Sequence, residues 1–165
     1  MSVALIVLIV GTLFAAASDL RTHRIPNVLT ATMGLAAITF HLLDGMALVL
    51  TLAAMIVTFA LGALAYAAGW IGGGDVKLLA AACGLAGASG CITLVFFILI
   101  AGAVLAIGQA LLHGRLVALV RNASNLAVTG AQPATPTLLP YGVAIAGGSI
   151  AYAFSTLFPA LRLAL

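Results

Sequence analysis

Gly72-Gly73-Gly74-Asp75-Val76-Lys77-Leu78 interrupts a chain that is otherwise nearly free of charge. A second interruption, Asp19-Leu20-Arg21-Thr22-His23-Arg24-Ile25-Pro26-Asn27, lies upstream of it. Around these breaks, 65% of the 165 residues are hydrophobic and 5% are charged, with a mean hydropathy of +1.34. A soluble domain carries roughly 25% charged residues, and no soluble fold of this length hides so much apolar surface. The composition therefore predicts an integral membrane protein. A span needs roughly 20 apolar residues, so the chain reads as an all-α, polytopic bundle of about six transmembrane helices. Residues 1–165 are expected to form a single integral-membrane domain.

Outward from the two breaks, helices are expected at 3–18, 28–43, 46–69, 76–88, 91–112 and 138–158. The stretch from Val76 to Leu112 is too long for one span at about 1.5 Å per residue, and Gly87-Ala88-Ser89-Gly90 supplies a turn that divides it. The start, up to Ala15-Ala16-Ala17, resembles a signal peptide but lacks a positive leading region, so it reads as a retained first helix. Residues 113–137 form the longest polar connection. Leu116, Leu119, Val120 and Ala123 follow helical spacing there, which suits an amphipathic helix lying on the membrane surface.

Arg21, Arg24, Lys77, Arg115 and Arg121 all fall in breaks after odd-numbered helices, whereas Arg162 and Asp44 fall on the other face. The positive-inside rule makes the first set cytoplasmic and the N-terminus external. The net charge of +3 thus speaks to topology rather than to nucleic-acid binding. On that side the sequon Asn122-Ala123-Ser124 never meets the glycosylation machinery. An even number of spans separates Asp19 from Asp75, so both emerge on one face and can meet, while Asp44 cannot join them.

These are the only carboxylate side chains, since glutamate is absent. Ionisable groups retained at a bilayer boundary are costly and so are functional candidates. Each also has a plainer reading. Asp75 suits the N-cap of the following helix, and Asp19 suits a solvated loop charge beside Arg21 and Arg24. Lys77 either holds Asp75 ionised or anchors its helix at the headgroups, the anchor being the commoner use. Gly72 and Gly74 remove side-chain bulk beside Asp75. Pro26 fits the first turn of the second helix, Asn27 caps it or holds a neighbouring loop, and His23 belongs to the positive flank. Cys83 and Cys91 lack metal or redox spacing and read as small packing residues.

Taken together, two carboxyls within a few ångström share a proton. One then serves as base on a water while the other polarises a peptide carbonyl. Such a pair needs neither metal nor cofactor, and none is expected here. A phosphotransferase for a lipid-linked substrate would gather more carboxylates around magnesium. A proton-relay transport subunit would place its acids nearer the midplane.

The two breaks resemble the signature regions of the type IV prepilin peptidases, the GxGD-type membrane aspartic proteases. Asp19 with Ile25-Pro26-Asn27 matches the first and Gly72-Gly73-Gly74-Asp75-Val76-Lys77-Leu78 the second. Pro140-Tyr141-Gly142 resembles a third, softer feature, so the likeness runs from the first helix to the last. The resemblance implies catalytic Asp19 and Asp75, an active-site loop containing Gly72, Gly74 and Lys77, and a bacterial inner-membrane enzyme. Its substrate would be a prepilin, whose leader is cut at the cytoplasmic face. Larger members carry an N-terminal segment with paired C-x-x-C cysteines and methylate the new pilin N-terminus. That segment is missing from this sequence, and no methyltransferase activity is expected. The short form is similar to the branch serving Flp-type (tight adherence) pili; archaeal preflagellin peptidases are also small and similar.

Overall fold

A computed structural model describes residues 2–42, 45–112 and 141–157. All its regular structure in those residues is helical. In chain order the helices are α1 (Val3–Thr22), α2 (Asn27–His41), α3 (Gly45–Ala67), α4 (Gly73–Leu112) and α5 (Tyr141–Leu157). Among the described residues, three segments are long and apolar enough to cross a bilayer: Val3–Thr22, Met46–Ala67 and Gly73–Leu112. The expected surface helix at 113–137, Asp44 and Arg162 lie outside the described residues.

Large apolar side chains such as Val10, Phe14, Leu35, Ile56, Leu64, Ile92 and Leu99 point outward, whereas Ala, Gly, Ser and Thr recur in the interior. That is the arrangement expected when hydrocarbon is the solvent. Lipid rewards no burial of leucine, so small residues that let backbones approach carry the packing. Several interior hydroxyls are satisfied within their own helices, whereas the buried Ser149 hydroxyl has no hydrogen-bond partner among the described residues. Thr12 donates to the Leu8 carbonyl at 2.8 Å, and Ser155 to the Tyr152 carbonyl at 2.8 Å.

Helix α4 is bent rather than continuous. Gly87 breaks it with φ 74° and ψ 167°, a conformation suited to a residue without Cβ. Neighbours on either side establish that the chain doubles back there. Along residues 73–86, Val76 packs near Gly62 and Gly84 near Met55, so this arm runs antiparallel to α3. Along residues 88–112, Gly90 lies beside Tyr152, Ile98 against Gly148 and Gly102 near Ala144, so the second arm runs antiparallel to α5. The Tyr152 hydroxyl closes the bend with a 3.3 Å hydrogen bond to the Ala86 carbonyl. The turn expected from Gly87-Ala88-Ser89-Gly90 is therefore present, at its first glycine. Cys83 and Cys91 flank it, both buried and free, and the Thr58 hydroxyl lies 3.4 Å from the Cys91 sulfur.

Two expected boundaries shift in ways that matter for the site. Helix α1 continues past Ser18 to Thr22 and ends where His23 adopts a left-handed conformation, φ 50° and ψ 33°. Asp19 is thus on the last turn of a helix, not in a loop. Helix α4 starts at Gly73, three residues before the expected Val76. The Val76 amide bonds to the Gly72 carbonyl at 3.2 Å, making Gly72 the cap and Asp75 the third helical residue, instead of Asp75 capping the helix.

Helix α5 and the second arm of α4 approach closely at Gly148. A Cβ on Gly148 would fall 2.5 Å from Ile98 Cα, whereas one on Gly108 would meet nothing within 4 Å. Gly148→Ala should therefore destabilise the bundle by about 1–3 kcal/mol, the usual cost of overpacking. Gly108→Ala should be neutral or gain up to about 1 kcal/mol of helix propensity. Thermal midpoints of the two detergent-purified variants against the parent check this.

Candidate active site

Three helix ends converge at one end of the bundle. The α1–α2 connection is held by local hydroxyls: Ser18 donates to the Arg24 carbonyl at 2.8 Å and Thr22 to the same carbonyl at 3.3 Å. The His23 amide bonds the Asp19 carbonyl at 2.8 Å and ends α1. Ile25 is thereby presented to α4. A Cβ on Gly74 would stand 3.2 Å from Ile25 Cβ, so glycine at this position lets the start of α4 seat against the connection. The space beside Gly74 is filled by the protein itself. It is not an opening for a substrate backbone.

Asp75 is fixed by its own helix start. The Gly72 amide donates to Asp75 Oδ2 at 3.2 Å, which is the reach-back half of a capping box. A Cβ on Gly72 would sit 2.9 Å from that oxygen. Near the positive end of the helix dipole, a carboxylate is favourably placed.

Asp19 faces the opposite circumstance. It lies at the C-terminal end of α1, where exposed carbonyls disfavour a negative charge. The compensation arrives from the far end of the chain: the Gly142 amide, in the first turn of α5, donates to Asp19 Oδ2 at 3.0 Å. An N-terminal helix amide is a ready anion donor. The contact is tight, since a Cβ on Gly142 would stand 3.0 Å from both Asp19 Cβ and Oδ2.

The two carboxylates are close enough to act on one another electrostatically, and Tyr141 lies within electrostatic range of Asp75. The structure therefore brings Asp19 and Asp75 together, with Gly72 and Gly74 supporting the second acid. Lys77 lies elsewhere. Its ammonium donates to Asn27 Oδ1 at 2.8 Å, joining α4 to α2. Pro26 occupies the N-cap of α2 and no side chain caps that helix, so Asn27 serves as Lys77's partner and not as a cap. His23 is exposed on the rim, as expected of a flanking residue. The supporting role of Gly142 did not emerge from charge or periodicity; the one signal was its place after Pro140-Tyr141, at the opening of an apolar run.

Two neighbouring carboxylates, each held by a backbone amide from a helix start, form an arrangement able to position and activate water. The model of the type IV leader peptidase family matches residues 6–107, a stretch that contains both aspartates. The chain belongs to the type IV leader peptidase family. Neither a curated protein nor a solved structure matches it. Membership makes this leader peptidase a membrane hydrolase of peptide bonds, in keeping with its apolar helices. The Gly142 amide that supports Asp19 lies beyond the matched stretch.

Gly142→Ala keeps the amide but forces a methyl against Asp19. It should lower the turnover number for a cleaved precursor about tenfold or more, the equivalent of about 1.4 kcal/mol of barrier. Steady-state cleavage kinetics on the purified variant, with its thermal midpoint recorded alongside, provide the check.

Proposed function

We propose that the protein is a membrane-embedded aspartic endopeptidase that removes the leader of type IV prepilins, of the Flp type, with Asp19 and Asp75 as its catalytic dyad. The observation carrying this reading is the convergence of the two acids at one end of the bundle, Asp19 on the Gly142 amide and Asp75 on the Gly72 amide. Both acids belong to the stretch that matches the family.

In the mechanism, the pair holds one proton between its two carboxyls. The ionised partner takes a proton from water as the water oxygen bonds to the scissile carbonyl carbon. The protonated partner donates to the carbonyl oxygen, giving a neutral gem-diol. Collapse then breaks the C–N bond, with a proton passing to the leaving nitrogen and the second proton returning to the pair. Because the proton is shared, the site titrates as a unit with two macroscopic constants, not one per residue. Gly74 shapes the active-site loop by letting α4 begin against Ile25, and Gly72 does so by leaving room for the Asp75 carboxylate.

The excess of arginine and lysine at the aspartate end orients that end toward the cytoplasm of a bacterial inner membrane, with the N-terminus outside. The doubled α4 supplies two of about six crossings, since α1, α2, α3 and α5 each supply one more. A prepilin leader is basic and is followed by an apolar helix, so its scissile bond would lie at that same membrane surface.

Co-expression with an Flp-type prepilin, followed by mass spectrometry of the pilin N-terminus, tests the reading. The parent should yield a pilin lacking its leader and carrying no added methyl group. Asp19→Asn and Asp75→Asn should each leave the precursor intact, a loss of at least about 10³-fold for removal of an acid–base partner, while inserting and accumulating normally. Asp44→Asn should process at the parental rate. Processing by either dyad variant would remove that residue from the mechanism.

A further inference from the structure

Lys77 and Asn27 mark a second polar point on the molecule, separate from the carboxylates. Successive residues of an α-helix turn by about 100°, so Lys77 leaves α4 about 200° away from Asp75. Its ammonium carries three donors, and among the described residues it makes one hydrogen bond, to Asn27 Oδ1 at 2.8 Å. Among the described residues no carboxylate pairs with it. With its oxygen accepting from Lys77, the Asn27 amide group still has N–H donors of its own. The site therefore presents donors and positive charge, with no anion beside it among the described residues.

Beneath this pair runs a groove of about 340 Å³ between α2, α3 and the first arm of α4. Thr30, Gly34, Met55 and Phe59 line it, with Lys77 and Asn27 among its walls. The groove exists because α2 leans on α4 more than on α3. Gly34 keeps it open, since a Cβ there would meet nothing nearer than Met55 Cε at 3.8 Å. Its apolar walls and open mouth accept a flexible hydrocarbon chain. The groove and the carboxylates are on opposite sides of the first arm of α4, so a peptide held at Asp19 and Asp75 leaves the groove unfilled.

We propose that this groove is a binding site for an anionic phospholipid, with one acyl chain lying between α2 and α3 and the phosphate on Lys77 Nζ and the Asn27 amide. Charge complementarity selects the headgroup, and the apolar walls accept the chain. The inference rests on membrane insertion alone and stands apart from the peptidase mechanism.

Native mass spectrometry of the intact protein, released from nanodiscs holding equal phosphatidylglycerol and phosphatidylcholine with matched chains, tests it. A lysine beside an anionic headgroup should favour phosphatidylglycerol about fivefold in retained adducts. Lys77→Arg should keep that preference, and Lys77→Gln should bring the ratio near one. Gly34→Leu, which places a side chain in the groove, should reduce retention of both lipids. Equal retention of the two lipids by the parent would overturn the proposal, as would an unchanged preference in Lys77→Gln. If Gly34→Leu retains both lipids normally but loses binding of a prepilin peptide, the groove belongs to a peptide helix and the lipid assignment falls.

Discussion

The Gly142 amide and the Asp19 carboxylate, 3.0 Å apart, join the first helix to the last across 123 positions of chain. Much of the remaining architecture can be understood as making that bond possible. A carboxylate at a helix C-terminus is electrostatically unfavourable, and in a low-dielectric setting the cost rises. An opposing helix start relieves it, but only if the backbones come close enough for an amide to reach. Glycine at position 142 meets that need. Further along the same helix, Gly148 lies against Ile98 and holds α5 in register with the second arm of α4.

The doubling of α4 is the other half of the construction. A 40-residue helix left straight would extend about 60 Å, twice the thickness of a hydrocarbon core, and would carry its second half away from the carboxylates. The positive φ at Gly87 returns it. The first arm then places Asp75 against the α1–α2 connection, and the second provides the wall on which α5 lies. Buried Cys83, Cys91 and Thr58 fill the space inside this reversal. Polar groups of that size are tolerated because they face one another and not lipid.

Much of this was legible in the sequence for a simple reason. In a chain so poor in charge, each carboxylate stands out, and the parity of the spans between Asp19 and Asp75 already places them on one side. The turn near Gly87 was legible from length, since 37 residues of unbroken apolar character cannot form one crossing. Helix ends were harder to read. Asp19 was expected in a loop because charge reads as solvent, yet α1 continues through it until His23 turns left-handed. The plainer reading of Asp75 put it at the cap because Asp favours that position, yet glycine holds the cap and Asp75 reaches back from the third position. The donors on the two acids are backbone amides, which no residue identity announces. Lys77 could be read as a partner for Asp75 or, more commonly, as an anchor at the headgroups; helical rotation sends it away from Asp75, to Asn27.

A bond between residues so far apart in the chain also sets an order of events during biosynthesis. Asp19 reaches the membrane with the first helix, well before the ribosome has made the residue that supports it. Until α5 inserts, its carboxylate has no helix start opposite, and the end of the bundle where both acids meet lacks one wall. A nascent or prematurely terminated chain thus carries both aspartates without the assembled centre. The arrangement of donors around the two acids is complete only once α5 is in place.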